Sequence, residues 1–154
     1  MFKQSSFLLK TILVLASFCL GFASGTAGLG AYRSVARANA PVISWCEMHK
    51  GSCGKVCREH KLTIVLFHAN WCPACKKMEA ETFSDAAVRE KLVPYGAIRV
   101  DVDLSPEHAG RAGIKNIPTV VVLNDKCTEV ARVVGNPGPA GFLGFLDGVE
   151  QVTK

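Results

Sequence analysis

A strand-length apolar run that leads into Cys-x-x-Cys at the start of a helix constrains this chain more than any other feature. Leu62-Thr63-Ile64-Val65-Leu66-Phe67 is short enough to be a buried strand, and Trp71-Cys72-Pro73-Ala74-Cys75 follows it closely. Pro73 suits the first helical position, where a missing N–H costs little. Two residues between the cysteines let the sulfurs close a small ring. The first thiol then lies among the unpaired N–H groups of a helix start, which together with the helix dipole stabilise a thiolate. Only the thiolate attacks disulfides, so the pattern specifies a redox nucleophile at Cys72, exposed at the helix start, with Cys75 as the resolving thiol.

The 154 residues suit one domain and an additional N-terminal segment. Lys3 and Lys10 precede the apolar stretch Thr11 to Ala23, and small residues follow at 24–28. That order is the pattern of an export signal, expected over 1–25, with a Gly- and Ala-rich linker over 26–41 and the folded domain over 42–154. An uncleaved membrane anchor fits the same segment. No charge occurs from Thr11 through Tyr32, about the length of one bilayer crossing. Both readings keep Lys3 and Lys10 inside and export the rest, to the periplasm in a bacterium. The net charge of +5 is mild and scattered, which argues against a nucleic-acid partner.

From residue 42 the pattern is globular. Ser44 to His60 is expected to be one helix or an irregular helix-loop, interrupted by Gly51 and Gly54. Strands are predicted over Leu62 to His68, Ala97 to Val102, Thr119 to Leu123 and Thr128 to Val134. Helices are predicted over Pro73 to Thr82, from an Asp85 cap to about Leu92, over Pro106 to Ala112, and over Gly141 to Val149. The order defines a small α/β fold with a mixed central sheet flanked by helices.

Ala69-Asn70-Trp71-Cys72-Pro73-Ala74-Cys75-Lys76 together with Ile117-Pro118-Thr119 resembles the two signatures of the thioredoxin superfamily. The resemblance implies the thioredoxin-like fold, a cis Pro118 facing the disulfide, and Trp71 shaping the rim. The stretch Cys75-Lys76-Lys77-Met78-Glu79 with Thr82-Phe83-Ser84-Asp85 is most similar to the C-terminal thioredoxin-like domain of the DsbD family. That likeness implies that Glu79 helps govern the cysteine pKa values; otherwise it is a solvated helix glutamate beside Lys76 and Lys77. Leu66 departs from thioredoxin, which has a buried Asp there, so Glu79 is the expected substitute in proton transfer. His68 is expected as a rim or structural histidine, or as a local modulator. The multi-span part of DsbD is missing from this sequence, so the expected protein is a separate exported carrier. It would act on exported proteins with disulfides and draw electrons from a DsbD-like membrane reductase. It would need no cofactor and no metal. Family potentials run from about −270 mV for thioredoxin to about −120 mV for DsbA. Pro-Ala between the cysteines, with no His, favours the reducing or isomerase side over a net oxidant.

Seven cysteines are many for this length. Apart from Cys19 they form an even set, which in an exported protein favours disulfides. Cys46, His49, Cys53, Cys57 and His60 could instead hold zinc or copper, which would make the chain a metal-binding or copper-delivery module on a thioredoxin scaffold. A second redox relay or an intermolecular bridge is the third reading. Chain geometry favours a bridge to Cys127. The strand from Leu62 to the active site spans about 20 Å, and the strand after Pro118 returns to the same far end. Cys57 or Cys53 could reach Cys127 there, with the other two paired locally.

Overall fold

Strand β2, Leu62–His68, has all its residues buried, which explains its continuous apolar sequence. The computed structural model describes residues 40–51 and 53–153. The expected signal or anchor, and the expected linker up to residue 39, lie outside them. Parallel to β2 runs β3 (Gly96–Asp101), with Val65 opposite Ile98 and His68 opposite Asp101. On its other side β4 (Thr119–Asn124) is antiparallel, with Phe67 opposite Thr119 and Leu62 opposite Asn124. β1 (Cys46–Glu47) adds parallel to β3 and β5 (Glu129–Val134) pairs antiparallel with β4. The result is a five-stranded mixed sheet of order β1-β3-β2-β4-β5; its mixed character is as the sequence leads one to expect, and β1 is an additional strand.

Helix α1 (Val56–Glu59) precedes β2. The parallel β2–β3 link requires a crossover, supplied by α2 (Pro73–Lys77), a π turn over Met78–Thr82, and α3 (Ala86–Lys91). Asp85 caps α3 as expected, its carboxylate accepting from Ala87 N–H at 2.9 Å and Val88 N–H at 3.1 Å. Helix α4 (Pro106–Arg111) leads towards β4, and α5 (Gly138–Val152) closes the domain, longer at both ends than its apolar stripe suggested.

The pleat sends alternate β2 side chains to opposite faces. Leu62, Ile64 and Leu66 pack with Met78, Val88, Phe142, Leu146 and Val149. Val65 and Phe67 face the other way, onto Ile98, Val100, Ala109 and Val121. Trp45, Phe83 and Phe142 form an edge-to-face chain, with ring centroids 5.2 and 5.5 Å apart. Gly96 allows α1 to approach β3. A Cβ there would lie 2.5 Å from Thr63 Oγ1 and 2.7 Å from Val56 Cγ1.

The segment from Ser44 to His60 departs from the expected helix. It contains the short strand β1, a 3-10 turn at Met48–Lys50 and the single turn of α1. Two local forces account for this. The Cys46–Cys53 disulfide draws the segment into a loop, and β1 satisfies backbone groups on the open edge of β3. Cys57 bonds to Cys127 in the β4–β5 turn, with 5.4 Å between the Cα atoms, which fulfils the expected far-end bridge.

Candidate active site

The sheet end reached by β2 carries the redox pair. Cys72 is the N-cap of α2, with extended backbone angles, and its sulfur accepts the N–H of Cys75 at 3.2 Å. Pro73 occupies the first helical turn. Cys72 and Cys75 are joined as a disulfide, with 5.3 Å between their Cα atoms. The sequence suggested an exposed Cys72. In this oxidised form the residue is only 4% exposed, because Ala69, Val102 and Ile117 enclose the disulfide. The neighbours Trp71, Pro73 and Ala74 are exposed, so a partner reaches the sulfur past them.

The Ile117–Pro118 peptide bond is cis, and Pro118 is buried at the start of β4. The Ile117 carbonyl oxygen lies 3.9 Å from Cys72 Sγ. When the disulfide opens, the thiol can donate to that oxygen. The Pro118 carbonyl accepts from Gly135 N–H at 2.7 Å, tying the proline to the end of β5.

Trp71 is 65% exposed, yet its orientation is set, since the indole N–H donates to Asp103 Oδ2 at 2.7 Å. Buried Asp101 in turn accepts the N–H of Asp103 at 2.9 Å, fixing the turn that presents Asp103. The sequence did not single out Asp101 or Asp103. Their signal is two acids flanking Val102 at the end of a strand whose other residues are mostly apolar.

Glu79 lies in the π turn, where Phe83 N–H donates to Met78 O at 3.0 Å. Single π turns recur at functional sites. The Glu79 carboxylate contacts Arg99 Nη2 at 3.2 Å, and Arg99 Nη1 lies 3.6 Å from Glu47. The guanidinium also covers the Trp45 ring at 4.9 Å. Glu79 is therefore an ion-paired, partly exposed side chain beneath the redox helix. Arg99 had no sequence signal of its own. Its importance comes from register, because it stands opposite Leu66 in β3.

Leu66 is buried in the apolar core. His68 is buried, not on the rim, and its Nε2 has no hydrogen-bond partner. Burial first and the Arg99 guanidinium second lower its pKa, while Asp101, Glu79 and Glu47 pull it upward.

Cys46, Cys53 and Cys57 are all in disulfides, so the cysteine-rich segment offers no thiolate to a metal. Among the described residues no group of three or more His, Cys, Asp or Glu is placed to hold an ion. No helix among them is long and apolar enough to cross a membrane.

A mixed sheet of this order, with a Cys-x-x-Cys starting the helix after its central strand and a cis-proline facing it, defines a thioredoxin-fold dithiol domain. The chain belongs to the thioredoxin-like domain family, whose model matches residues 54–150. DsbD of Yersinia pestis, a thiol:disulfide interchange protein, is 34% identical over 100 residues, covering 61% of this chain and 17% of DsbD. This chain thus spans a small fraction of the length of that relative. Thioredoxin of Mycobacterium bovis is 34% identical over 94 residues, covering 61% of this chain and 78% of that protein. Among solved structures, thioredoxin NaTrxh from Nicotiana alata superposes with a TM-score of 0.55 at 26% identity, covering 71% of this chain and 96% of that one.

Proposed function

We propose that this chain is an exported, periplasmic thiol–disulfide oxidoreductase working on the reducing or exchange side. The observation that carries the proposal is the Cys72–Cys75 pair at the start of α2, set against the Ile117 carbonyl and cis Pro118. The helix start stabilises a Cys72 thiolate once the pair is reduced. That thiolate attacks a disulfide of an exported protein. A mixed disulfide forms, and one partner sulfur leaves as a thiolate. Cys75 then attacks Cys72, re-forming the intramolecular bond and releasing the second partner sulfur. Two electrons pass from the dithiol to the partner disulfide.

A DsbD-like membrane reductase would return the electrons by the reverse exchange. The relation to DsbD and the lack of a His between the cysteines support the reducing direction. The leader at 1–25, cleaved or kept as a tether through residues 11–32, supports export. The test is the reduction potential of the Cys72–Cys75 pair, combined with trapping by Cys75→Ala. A potential on the thioredoxin side of about −200 mV, with exported proteins trapped on Cys72, is expected. A value near −120 mV would overturn the reducing assignment.

A further inference from the structure

We propose that His68 stores the proton that the dithiol gives up and takes back in each exchange, an inference that rests on the function proposed above. The last residue of β2, His68 lies at the sheet end that carries Cys72, Cys75 and Pro118. Among the described residues three buried side-chain nitrogens lack a partner: His68 Nε2, Arg89 Nε and Arg99 Nε. A guanidinium has no lone pair to offer, so of these only the imidazole can accept a proton. A buried ring nitrogen left unpaired in a well-packed domain calls for a reason.

The other residues on this face do not supply the acceptor. Leu66, two residues earlier on the same face of β2, is apolar, Glu79 is engaged by Arg99, and the Asp101 carboxylate accepts the backbone N–H groups of Asp103 and Leu104. The charged groups facing His68 are Arg99 and Asp101 on β3, Glu79 on the π turn and Glu47 on β1. Burial and Arg99 hold the imidazole neutral near pH 7, with its lone pair ready. Once a proton arrives, the three carboxylates offset part of the cost of charging the ring, so the imidazole can load a proton and gives it up readily.

The Cys75 thiol loses its proton, which His68 takes up. Cys75 Sγ attacks Cys72 Sγ, the Cys72–partner S–S bond breaks, and the electron pair leaves on the partner sulfur. The departing thiolate then takes the proton back. His68 touches no substrate; it acts through Cys75 and is a positioning residue for the proton.

The test charges reduced protein with Ellman's reagent, so that Cys72 carries thionitrobenzoate and Cys75 must displace it. Release is followed by stopped flow from about pH 5 to 9. In His68→Gln and His68→Asn the release is expected to slow about tenfold or more at neutral pH and to rise with pH like a simple thiol ionisation. An unchanged rate and profile would overturn the proposal. The second arm uses the unaltered sequence: the His68 imidazole is titrated by NMR with the pair oxidised and reduced. The two pKa values are expected to differ, and identical values would also overturn it. A protein that never takes up the thionitrobenzoate group sinks the exchange function instead, and the NMR arm still decides on His68.

Discussion

Arg99 reaches Glu79 at 3.2 Å, so the carboxylate that the redox helix sends towards the sheet is held by a cation from β3. Glu47 shares the same guanidinium at 3.6 Å. Arg99→Met leaves the two carboxylates close together without a cation. Both are partly exposed, so solvent screens the loss, and an effect on the order of 1 kcal/mol in urea unfolding is expected. The His68 pKa, followed by NMR, is expected to rise because the nearest positive charge has gone. Glu79→Gln removes an attracting carboxylate and moves it the opposite way. Shifts of the same sign in both variants would contradict this arrangement.

The Cys57–Cys127 bridge closes a separation of 70 residues between α1 and the β4–β5 turn. Cys127 has a φ of 58°, the left-handed conformation in which glycine is preferred and most side chains cost about 1 kcal/mol or more. The chain-entropy model gives a loop of this length about 4 kcal/mol of stabilisation, which outweighs that local cost. The double variant Cys57→Ala with Cys127→Ala leaves no odd thiol. It is expected to unfold with about 3 to 4 kcal/mol less stability while keeping the potential of Cys72–Cys75. A changed potential would mean that the bridge is coupled to the redox pair.

The elements legible in the sequence were those whose pattern is local. The apolar run of β2 and the Asp85 cap are read directly, and Ile117-Pro118-Thr119 marks the start of β4. Their chemistry and periodicity act over a few residues. β1 was not legible, because a two-residue strand has no period and exists only where the β3 edge accepts it. The site divides in the same way. Cys72, Cys75 and Pro118 stand out by motif, whereas Arg99 becomes important only when parallel pairing sets it opposite Leu66 and places Glu79 and Glu47 within reach. The sequence left His68 open between a rim and a structural place, because a polar residue at a strand end is ordinarily a sign of solvent.

Trp71 is exposed and depends on Asp103 for its orientation. Asp103→Ala frees the indole without opening the core, so stability is expected to change by less than about 1 kcal/mol. Reduction of a large substrate such as insulin is expected to slow several-fold, since a wandering Trp71 no longer presents one surface. Reaction with Ellman's reagent, which needs little surface, is expected to be unchanged. Equal slowing with both substrates would place the role of Asp103 in the thiol chemistry instead of the rim.

The depressed pKa of His68 also fixes the sign of a pH effect on stability. In the unfolded chain the imidazole titrates near 6.5, whereas in the folded protein burial and Arg99 move it lower. Between those two values the unfolded state binds more protons, so stability rises with pH across that window. The contribution is fully present above about pH 6.5. It is lost as the pH falls through the folded-state value, below which both states are protonated. Urea unfolding of the oxidised protein at a series of pH values from neutral downward is expected to show this loss, alongside that of any carboxylates titrating at lower pH. In His68→Gln the part of the slope nearest pH 6 is expected to vanish while the more acidic part remains. An unchanged slope near pH 6 would show that His68 has the same proton affinity in both states, contrary to its burial without a partner.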